Sequence, residues 1–149
     1  MCRMKILQFS IWENTLPNNE LKTKIVDLFR NLLKSSEVDL TAVEKHIAPS
    51  FIQMVDGVVL DYDALVEHMR KQKELVASAS VEFLAIVEEG NTLFSNHVVT
   101  VHKRDNSVIQ VKVIAQFVFE GDRLVRCDEL TRLLSENPED HIFGSRDRG

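Results

Sequence analysis

The sequence predicts an α+β domain in which one antiparallel sheet packs against helices on one of its faces. Apolar residues recur at helical spacing from Leu21 to about Val76. From Ser78 to about Leu134 they alternate or form short β-type blocks, with no helical pattern between them. This segregation favours antiparallel pairing over the alternating helix–strand order of a parallel sheet. If the strands are long and curved, the sheet wraps around its helices and can leave a pocket at one end.

The first two predicted helices differ in length. An amphipathic helix begins near Leu21, with its apolar side chains on one face and most of its lysine and arginine side chains opposite. A second, short helix is predicted to start at Thr41, whose hydroxyl can cap it while Glu44 reaches back in a capping box. It should end near Ile47, because Pro49 disfavours helical geometry in the residue before it.

A small hairpin and a third helix are predicted next. Residues 51–55 have the composition of a strand, Asp56-Gly57 forms the turn, and residues 58–60 return. Asp61 can cap the third helix through its carboxylate. One stripe of that helix consists of Tyr62, Leu65, Val66, Met69, the stem of Lys73 and Val76.

Four longer strands follow, separated by turn signals that contain glycine, asparagine and aspartate. They are predicted at about residues 78–88, 92–103, 108–120 and 123–134. In the third of these strands the odd positions from Val111 to Phe119 are all apolar, so this face should line the core or a pocket. Ile114 and Val118 interrupt the polar even face. They favour a homodimer formed through the sheet, with scattered surface hydrophobics as the alternative.

Length and composition indicate one globular domain. Of the 149 residues, 21–134 are assigned to the domain, 1–20 to an N-terminal arm and 135–149 to a polar C-terminal tail. The net charge of −5 gives no electrostatic reason to bind nucleic acid or an anionic membrane. Two cysteines make no disulfide framework, which favours a reduced, cytoplasmic location. No motif predicts a cofactor or a metal site.

Two adjacent carboxylates in the last strand are the leading candidates for chemistry. Because side chains alternate along a strand, one of Asp128 and Glu129 faces inward and the other outward. The face that carries Glu129 also carries Val125, Cys127 and Thr131, and it is smaller and more apolar. Glu129 is therefore the preferred inward carboxylate, and burial would raise its pKa towards that of a general base or acid. An ion pair with a nearby arginine is the structural alternative.

Further residues are predicted to line the pocket or to assist there. His97 and His102 fall on opposite faces of their strand, so at most one of them reaches the interior. Tyr62 and His68 could donate a hydrogen bond to a ligand, although an anchoring tyrosine and a boundary histidine are the commoner cases. The predicted pocket set is Tyr62, His68, His102, Met54, Met69, Phe117 and Phe119.

Two segments resemble a known group of proteins. The segment FIQMVDG at residues 51–57, followed by LDYD at 60–63, and the closing stretch GDRLVRCDEL at 121–130 resemble the SnoaL-like group of the nuclear transport factor 2-like superfamily. The resemblance covers roughly residues 21–134. It implies a cone-shaped α+β barrel, commonly dimeric, with a hydrophobic cavity between helices and sheet. Members include polyketide cyclases, ketosteroid isomerases, dehydratases and proteins that bind ligands or partners without known catalysis.

The chain departs from this group at three positions. Related sequences often carry a histidine in the first hairpin, where this chain has Met54. Cyclase-type members place an acid about eight residues after the start of the last strand, where Arg132 stands here. Isomerase-type members need a tyrosine on the first helix, and here the helix offers Phe29 and Leu28.

The function predicted on this basis is the binding of a small, largely apolar molecule. A proton transfer next to a carbonyl would then use Glu129 or Asp128 as the base, with His102, His68 or Tyr62 polarising the carbonyl. Isomerisation, cyclisation and dehydration are the reactions of this type. The alternative is a non-catalytic ligand-binding or dimeric interaction module. A cavity filled by the protein's own side chains would favour the non-catalytic module. A pocket of a few hundred cubic ångströms with an inward carboxylate would favour the enzyme.

Overall fold

The computed structural model describes residues 19–134. In chain order the helices and strands are α1 (Glu20–Leu33), α2 (Leu40–His46), β1 (Ile47–Val55), β2 (Val58–Asp61), α3 (Tyr62–Leu75), β3 (Val76–Glu89), β4 (Thr92–Lys103), β5 (Val108–Glu120) and β6 (Arg123–Leu133). All of the helices and strands predicted within this range are present, and most of their ends lie within two residues of the prediction. The predicted arm is represented only by residues 19 and 20, and the predicted tail lies outside the described residues.

The predictions of the N-cap residues of α2 and α3 had different outcomes. Asp61 caps α3 as predicted, since its Oδ1 accepts a hydrogen bond from the backbone N–H of Ala64 at 2.9 Å. For α2 the prediction of Thr41 was wrong, because Asp39 accepts from the N–H of Ala42 at 3.2 Å. Asp39 keeps an extended backbone (φ −91°, ψ 98°), as a cap requires, whereas Thr41 already lies inside the helix.

The six strands form one sheet in the order β2-β1-β6-β5-β4-β3. The α+β class is confirmed, but the sheet is mixed rather than wholly antiparallel, because β1 and β6 run parallel. The strand order has two free ends, so within the described residues the sheet is curved and open rather than a closed barrel. Turns between successive strands specify the antiparallel pairs. The β1–β6 pair joins strands nearly 70 residues apart, and no local signal in the sequence specifies it.

Helix α1 lies across the inner face of the sheet. Its apolar face is buried at Leu21, Ile25 and Leu28. At its N-terminal end the backbone N–H of Lys22 donates to the Glu88 carboxylate at 2.9 Å, and a carboxylate is well placed at a helix N-terminus. The helix is therefore fixed to one end of β3. The main core fills the space between this helix and the sheet.

The inner and outer faces of the sheet follow the predicted alternation. The odd positions of β5 from Val111 to Phe119 are all buried, which confirms the predicted inner face. On the outer face Ile114 is 47% exposed and Val118 is half-buried. No helix within residues 19–134 is long and apolar enough to cross a membrane. The cytoplasmic location stays a prediction.

Candidate functional site

A cavity of about 540 Å³ lies between α1, α3 and the inner face of the sheet. Aliphatic and aromatic side chains make up most of its wall, among them Leu28, Phe29, Leu65, Met69 and Phe117. This volume falls within the range of small-molecule sites. The wall also contains a few polar groups, which set what a ligand can do there.

One end of the cavity has a polar rim. It is formed by Lys34, Ser35 and Ser36, which follow α1, and by Gln72 and Lys73 on α3. Lys34 and Ser36 are exposed, so this end lies at the protein surface. A ligand can enter here, between the last turn of α1 and the facing turn of α3.

Glu129 projects from β6 into the cavity. The amide Nε2 of Gln53, on the adjacent strand β1, donates to Glu129 Oε1 at 2.6 Å. Burial raises the pKa of Glu129 from 4.5 to about 7, the Gln53 hydrogen bond opposes this rise, and the negative charges of Asp56 and Asp128 add to it. The partner of Glu129 is thus a neutral amide rather than one of the arginines considered in the sequence, and at pH 7 the acid and its conjugate base are both populated.

The β1–β2 turn holds Glu129 in place through its backbone. Asp56 and Gly57 both have positive φ (50° and 87°), as a type I′ turn requires. The N–H of Asp56 donates to the carbonyl of Glu129 at 3.0 Å. The Asp56 carboxylate accepts from the N–H of Thr131 at 2.8 Å and from the Thr131 hydroxyl. These bonds fix the position of β6 at Glu129 and at Thr131, two residues further along the strand.

His97, on β4, is a second polar group in the cavity wall. It is 2% exposed, and its Nδ1 lies 2.8 Å from the hydroxyl oxygen of Ser95. Its ring contacts the rings of Phe29 and Phe83 at centroid distances of 5.6 and 5.4 Å. Burial lowers the pKa of His97 to about 4, so the imidazole is neutral at physiological pH.

The predicted site residues divide into two groups. Glu129, His68, Met69 and Phe117 line the cavity. Burial lowers the pKa of His68, and the positive charge of Lys71 lowers it further. The remaining predicted residues do not line it, and they are Asp128, Tyr62, His102, Met54 and Phe119.

The position of each of these five residues explains why it does not line the cavity. Asp128 and Met54 are paired neighbours on the outer face of the sheet, and His102 is exposed on that face as well. Phe119 is buried in the core near the C-terminal end of β5, where it pairs with Leu124 of β6. Tyr62 packs against the core from the first turn of α3, which places it outside the cavity.

His97 and Gln53 are the cavity residues that the sequence interpretation did not select. The alternation of side chains along a strand could have predicted that both face inward. Leu93 and Val101 on β4 share the parity of His97, and this apolar set marks the inner face. Gln53 has the parity of buried Phe51 in the same strand. Within the described residues, no group of three histidine, cysteine or acidic side chains is placed to hold a metal ion.

Comparison with known proteins gives one sequence relative and a set of structural neighbours. No protein-family model matches the chain. An uncharacterized protein of Schizosaccharomyces pombe is 26% identical over 107 residues, which is 72% of this chain and 82% of that protein. No activity is attached to its name.

Three solved structures illustrate the structural similarity. A provisional SnoaL-like polyketide cyclase from Shewanella denitrificans matches with a TM-score of 0.64 at 9% identity, over 74% of this chain and 89% of its own. An epoxide hydrolase from M. tuberculosis matches with 0.62 at 12% identity, over 74% and 80%. An NTF2-like protein of unknown function from Exiguobacterium matches with 0.58 at 17% identity, over 72% and 97%.

At these identities the matches establish the fold alone. They agree with the architecture described above, in which a curved sheet encloses a cavity between itself and its helices. The chain has the nuclear transport factor 2-like fold in the form found in SnoaL-like proteins.

Proposed function

We propose that this protein binds a small, largely apolar molecule in the cavity and transfers a proton on it next to a carbonyl group, with Glu129 as the base. The observation that carries the proposal is the Glu129 carboxyl group. It lies in the wall of an apolar cavity, and its pKa of about 7 matches the requirement for a group that takes up and returns a proton near neutral pH.

The chemistry requires only groups that the cavity contains. The Glu129 carboxylate removes a proton from the carbon next to the carbonyl, and the electron pair moves onto the carbonyl oxygen to give an enolate. The protonated Glu129 then returns the proton to carbon, at the same or another position. A hydrogen-bond donor near the enolate oxygen lowers the barrier by stabilising its charge, and His68 is one donor in the wall.

The names of structural neighbours are consistent with small-molecule chemistry in this fold. They include a provisional SnoaL-like polyketide cyclase and an epoxide hydrolase. The same fold can also bind a ligand without turnover. An open cavity of about 540 Å³ supports ligand binding in either case, and the catalytic part of the proposal rests on Glu129 alone.

The first experiment identifies the occupant and then tests the base. Native mass spectrometry of the purified protein, followed by denaturation, shows what the cavity retains. Turnover of that molecule or its carbonyl derivatives is measured for Glu129→Gln and for the matched outer-face variant Asp128→Asn. We expect the first to lose at least about 100-fold in kcat and the second to retain activity. Equal activity in both variants and the unchanged protein would remove Glu129 from the mechanism.

We also propose that two copies associate through the outer face of the sheet. Four apolar side chains there, Val87, Phe94, Ile114 and Leu130, are each between 47% and 66% exposed. Val87 pairs with Phe94 and Ile114 pairs with Leu130 across neighbouring strands. Phe94 and Ile114 are diagonal neighbours, so the four form one patch on the face away from the cavity. A continuous apolar patch of this kind is typical of an interface.

A further inference from the structure

The Glu129 carboxylate fixes the orientation of the Gln53 amide. An ionised carboxylate only accepts hydrogen bonds, so the NH2 group of the amide has to face it and the amide oxygen has to face away. The structure has this arrangement, since Gln53 Nε2 donates to Glu129 Oε1 at 2.6 Å. Gln53 therefore presents its oxygen, Oε1, to the groups beside this pair.

The Oε1 atom of Gln53 is an acceptor that lacks a donor. It is buried and has no hydrogen-bond partner among residues 19–134, although Gln53 belongs to the cavity wall. The hydroxyl group of Thr131, which lines the same cavity, donates to the Asp56 carboxylate instead. A buried acceptor without a partner costs free energy. Its position in a cavity wall indicates that a ligand supplies the donor.

The wall around this acceptor is apolar. Phe51 and Val55 lie two residues to either side of Gln53 on β1, and both line the cavity. Cys127 is the partner residue of Gln53 on β6, and burial keeps its thiol neutral by raising its pKa. The missing donor is therefore one polar group on an otherwise apolar ligand.

The acceptor lies close to the carboxylate that would take the proton. The nitrogen and oxygen atoms of one amide are about 2.3 Å apart. Gln53 Oε1 is therefore at most about 5 Å from Glu129 Oε1. The amide occupies Oε1, which leaves Oε2 of the carboxylate for a proton from the ligand. A hydroxyl group that donates to Gln53 can lie on the same carbon whose hydrogen faces Glu129.

An acceptor at this position favours retention of the hydroxyl group over its loss. A hydroxyl group that leaves as water has to receive a proton. The amide oxygen of Gln53 has no proton to give. A hydroxyl group bound there therefore stays on the ligand while Glu129 removes the hydrogen from carbon.

We infer that the cavity takes an apolar α-hydroxy ketone, whose hydroxyl group donates to Gln53 Oε1 and whose hydroxyl-bearing carbon faces Glu129. The inference rests on the proposed function, because it names the substrate class of the same site. Gln53 is the residue that selects the hydroxyl group.

On such a ligand the proposed proton transfer exchanges the carbonyl and hydroxyl positions. The Glu129 carboxylate removes the hydrogen from the hydroxyl-bearing carbon, and the electron pair moves into the carbonyl group to give an enediolate. The hydroxyl hydrogen passes to the former carbonyl oxygen, and protonated Glu129 returns its proton to the former carbonyl carbon. No atom is lost, and no oxidant or reductant is required.

Binding is tested with three probes that differ in the hydroxyl group. These are 2-hydroxypropiophenone, which is an α-hydroxy ketone, 3-hydroxypropiophenone, whose hydroxyl group is one carbon further away, and propiophenone, which has none. The unchanged protein should bind the first about three- to tenfold more tightly than the other two, as expected for one neutral hydrogen bond. Gln53→Leu and Gln53→Met should each abolish this preference. Gln116→Leu, on the outer face of β5, should keep it.

Thermal unfolding confirms that each variant is folded, and the comparison of probes in the unchanged protein requires no variant. Equal affinity for the three probes would show that water satisfies Gln53 Oε1, and it would overturn the inference. A preference that survives both substitutions of Gln53, or no binding of 2-hydroxypropiophenone at millimolar concentration, would overturn it as well.

Deuterium exchange separates this inference from the proposed catalysis. In D2O, proton NMR follows the loss of the C–H signal of 2-hydroxypropiophenone and the appearance of its isomer, and both rates should fall at least about 100-fold in Glu129→Gln. A hydroxyl preference that depends on Gln53, without exchange above the rate in buffer, would support the ligand class and reject the base. Equal affinities and equal exchange rates for propiophenone and 2-hydroxypropiophenone would keep the base and refute the role of Gln53.

Discussion

The carboxyl group of Glu129 experiences two opposing influences. Its buried position in the cavity wall favours the neutral acid, whereas the amide of Gln53 favours the carboxylate by donating to it at 2.6 Å. The pKa of about 7 is the net result. A base that must also return its proton benefits from this balance, because neither form is strongly disfavoured at neutral pH.

Removing the Gln53 amide should therefore raise the pKa of Glu129 further. For Gln53→Leu we expect an upward shift of the Glu129 pKa of about one unit, because the hydrogen bond from Gln53 to the carboxylate is lost. The measurement is a pH titration of the Glu129 side-chain carbon by carbon-13 NMR. Gln116→Leu, on the outer face of β5, is the matched control and should leave the titration unchanged. An unchanged or lower pKa in Gln53→Leu would show that the amide does not stabilise the charged form.

Alternation along a strand explains what could be predicted at the residue scale. It indicates that Glu129 and Asp128 face opposite sides, and the apolar neighbours of Glu129 favour the inner one. The same rule separates His97 from His102, and Leu93 and Val101 on the face of His97 favour His97 as the inner one. Met54 was selected for its flexible apolar side chain, yet it lies beside Arg126, whose Nη2 is 3.9 Å from its sulfur. The type of side chain alone therefore did not predict which face of the sheet Met54 occupies.

At the scale of the elements, Lys73 joins the two helices that form the rim of the cavity. Its Nζ on α3 donates to the backbone carbonyl of Leu32 at 2.7 Å and to that of Ser35 at 2.6 Å. Leu32 lies in the last turn of α1, and Ser35 follows the residue that caps the helix. A positive charge is favourable at a helix C-terminus, where carbonyls lack helical partners. This lysine therefore holds the end of α1 against α3 at the entrance.

Lys73→Met tests this contact because it keeps most of the apolar stem and removes the charged donor. We expect the free energy of unfolding to fall by about 1–2 kcal/mol and the molecule retained by the purified protein to bind and dissociate faster at a loosened entrance. Chemical denaturation and stopped-flow binding are the measurements. Lys71→Met, at an exposed position on the same helix, should change stability by less than about 0.5 kcal/mol. Equal effects of the two substitutions would contradict the proposed contact.

The elements themselves were predictable because local signals determine them. Helical periodicity marks α1 and α3, a carboxylate cap starts α3, and each antiparallel pair is joined by a short turn. The parallel pairing of β1 with β6 is different in kind. It follows from packing the hairpin beside the last strand, with the carbonyl of Glu129 bonded to Asp56. Such a contact depends on the whole fold, and no short segment of the sequence encodes it.

For the whole molecule, the apolar patch on the outer face of the sheet predicts a homodimer. Ile114→Lys should convert it to a monomer, because a charge at the centre of the patch is costly to bury. Sedimentation velocity over a range of concentrations is the measurement. Leu75→Lys, at a 42% exposed apolar residue on the end of α3, should keep the dimer. A monomeric unchanged protein would refute the assembly without affecting the cavity.

Two titratable groups of the cavity wall, Glu129 and His97, have opposite effects on stability as the pH changes. Folding raises the pKa of Glu129 from 4.5 to about 7, so between these values the folded protein binds more protons than the unfolded chain, and stability falls as the pH rises. Folding lowers the pKa of His97 from 6.5 to about 4. In that window the unfolded chain binds more protons, and stability rises with pH.

Single substitutions should separate these two contributions. Between pH 4.5 and pH 7.5 the stability of Glu129→Gln relative to the unchanged protein should increase by up to about 3 kcal/mol, because the variant no longer buries a carboxylate at the higher pH. Between pH 6.5 and pH 4 the relative stability of His97→Phe should increase by a similar amount, because the variant has no imidazole to protonate in the unfolded chain. Urea unfolding at each pH is the measurement, and the difference from the unchanged protein cancels the titration of His46 and His68. Differences that do not vary with pH would show that neither group titrates with a shifted pKa, and the cavity would then lack the near-neutral acid on which the proposed catalysis rests.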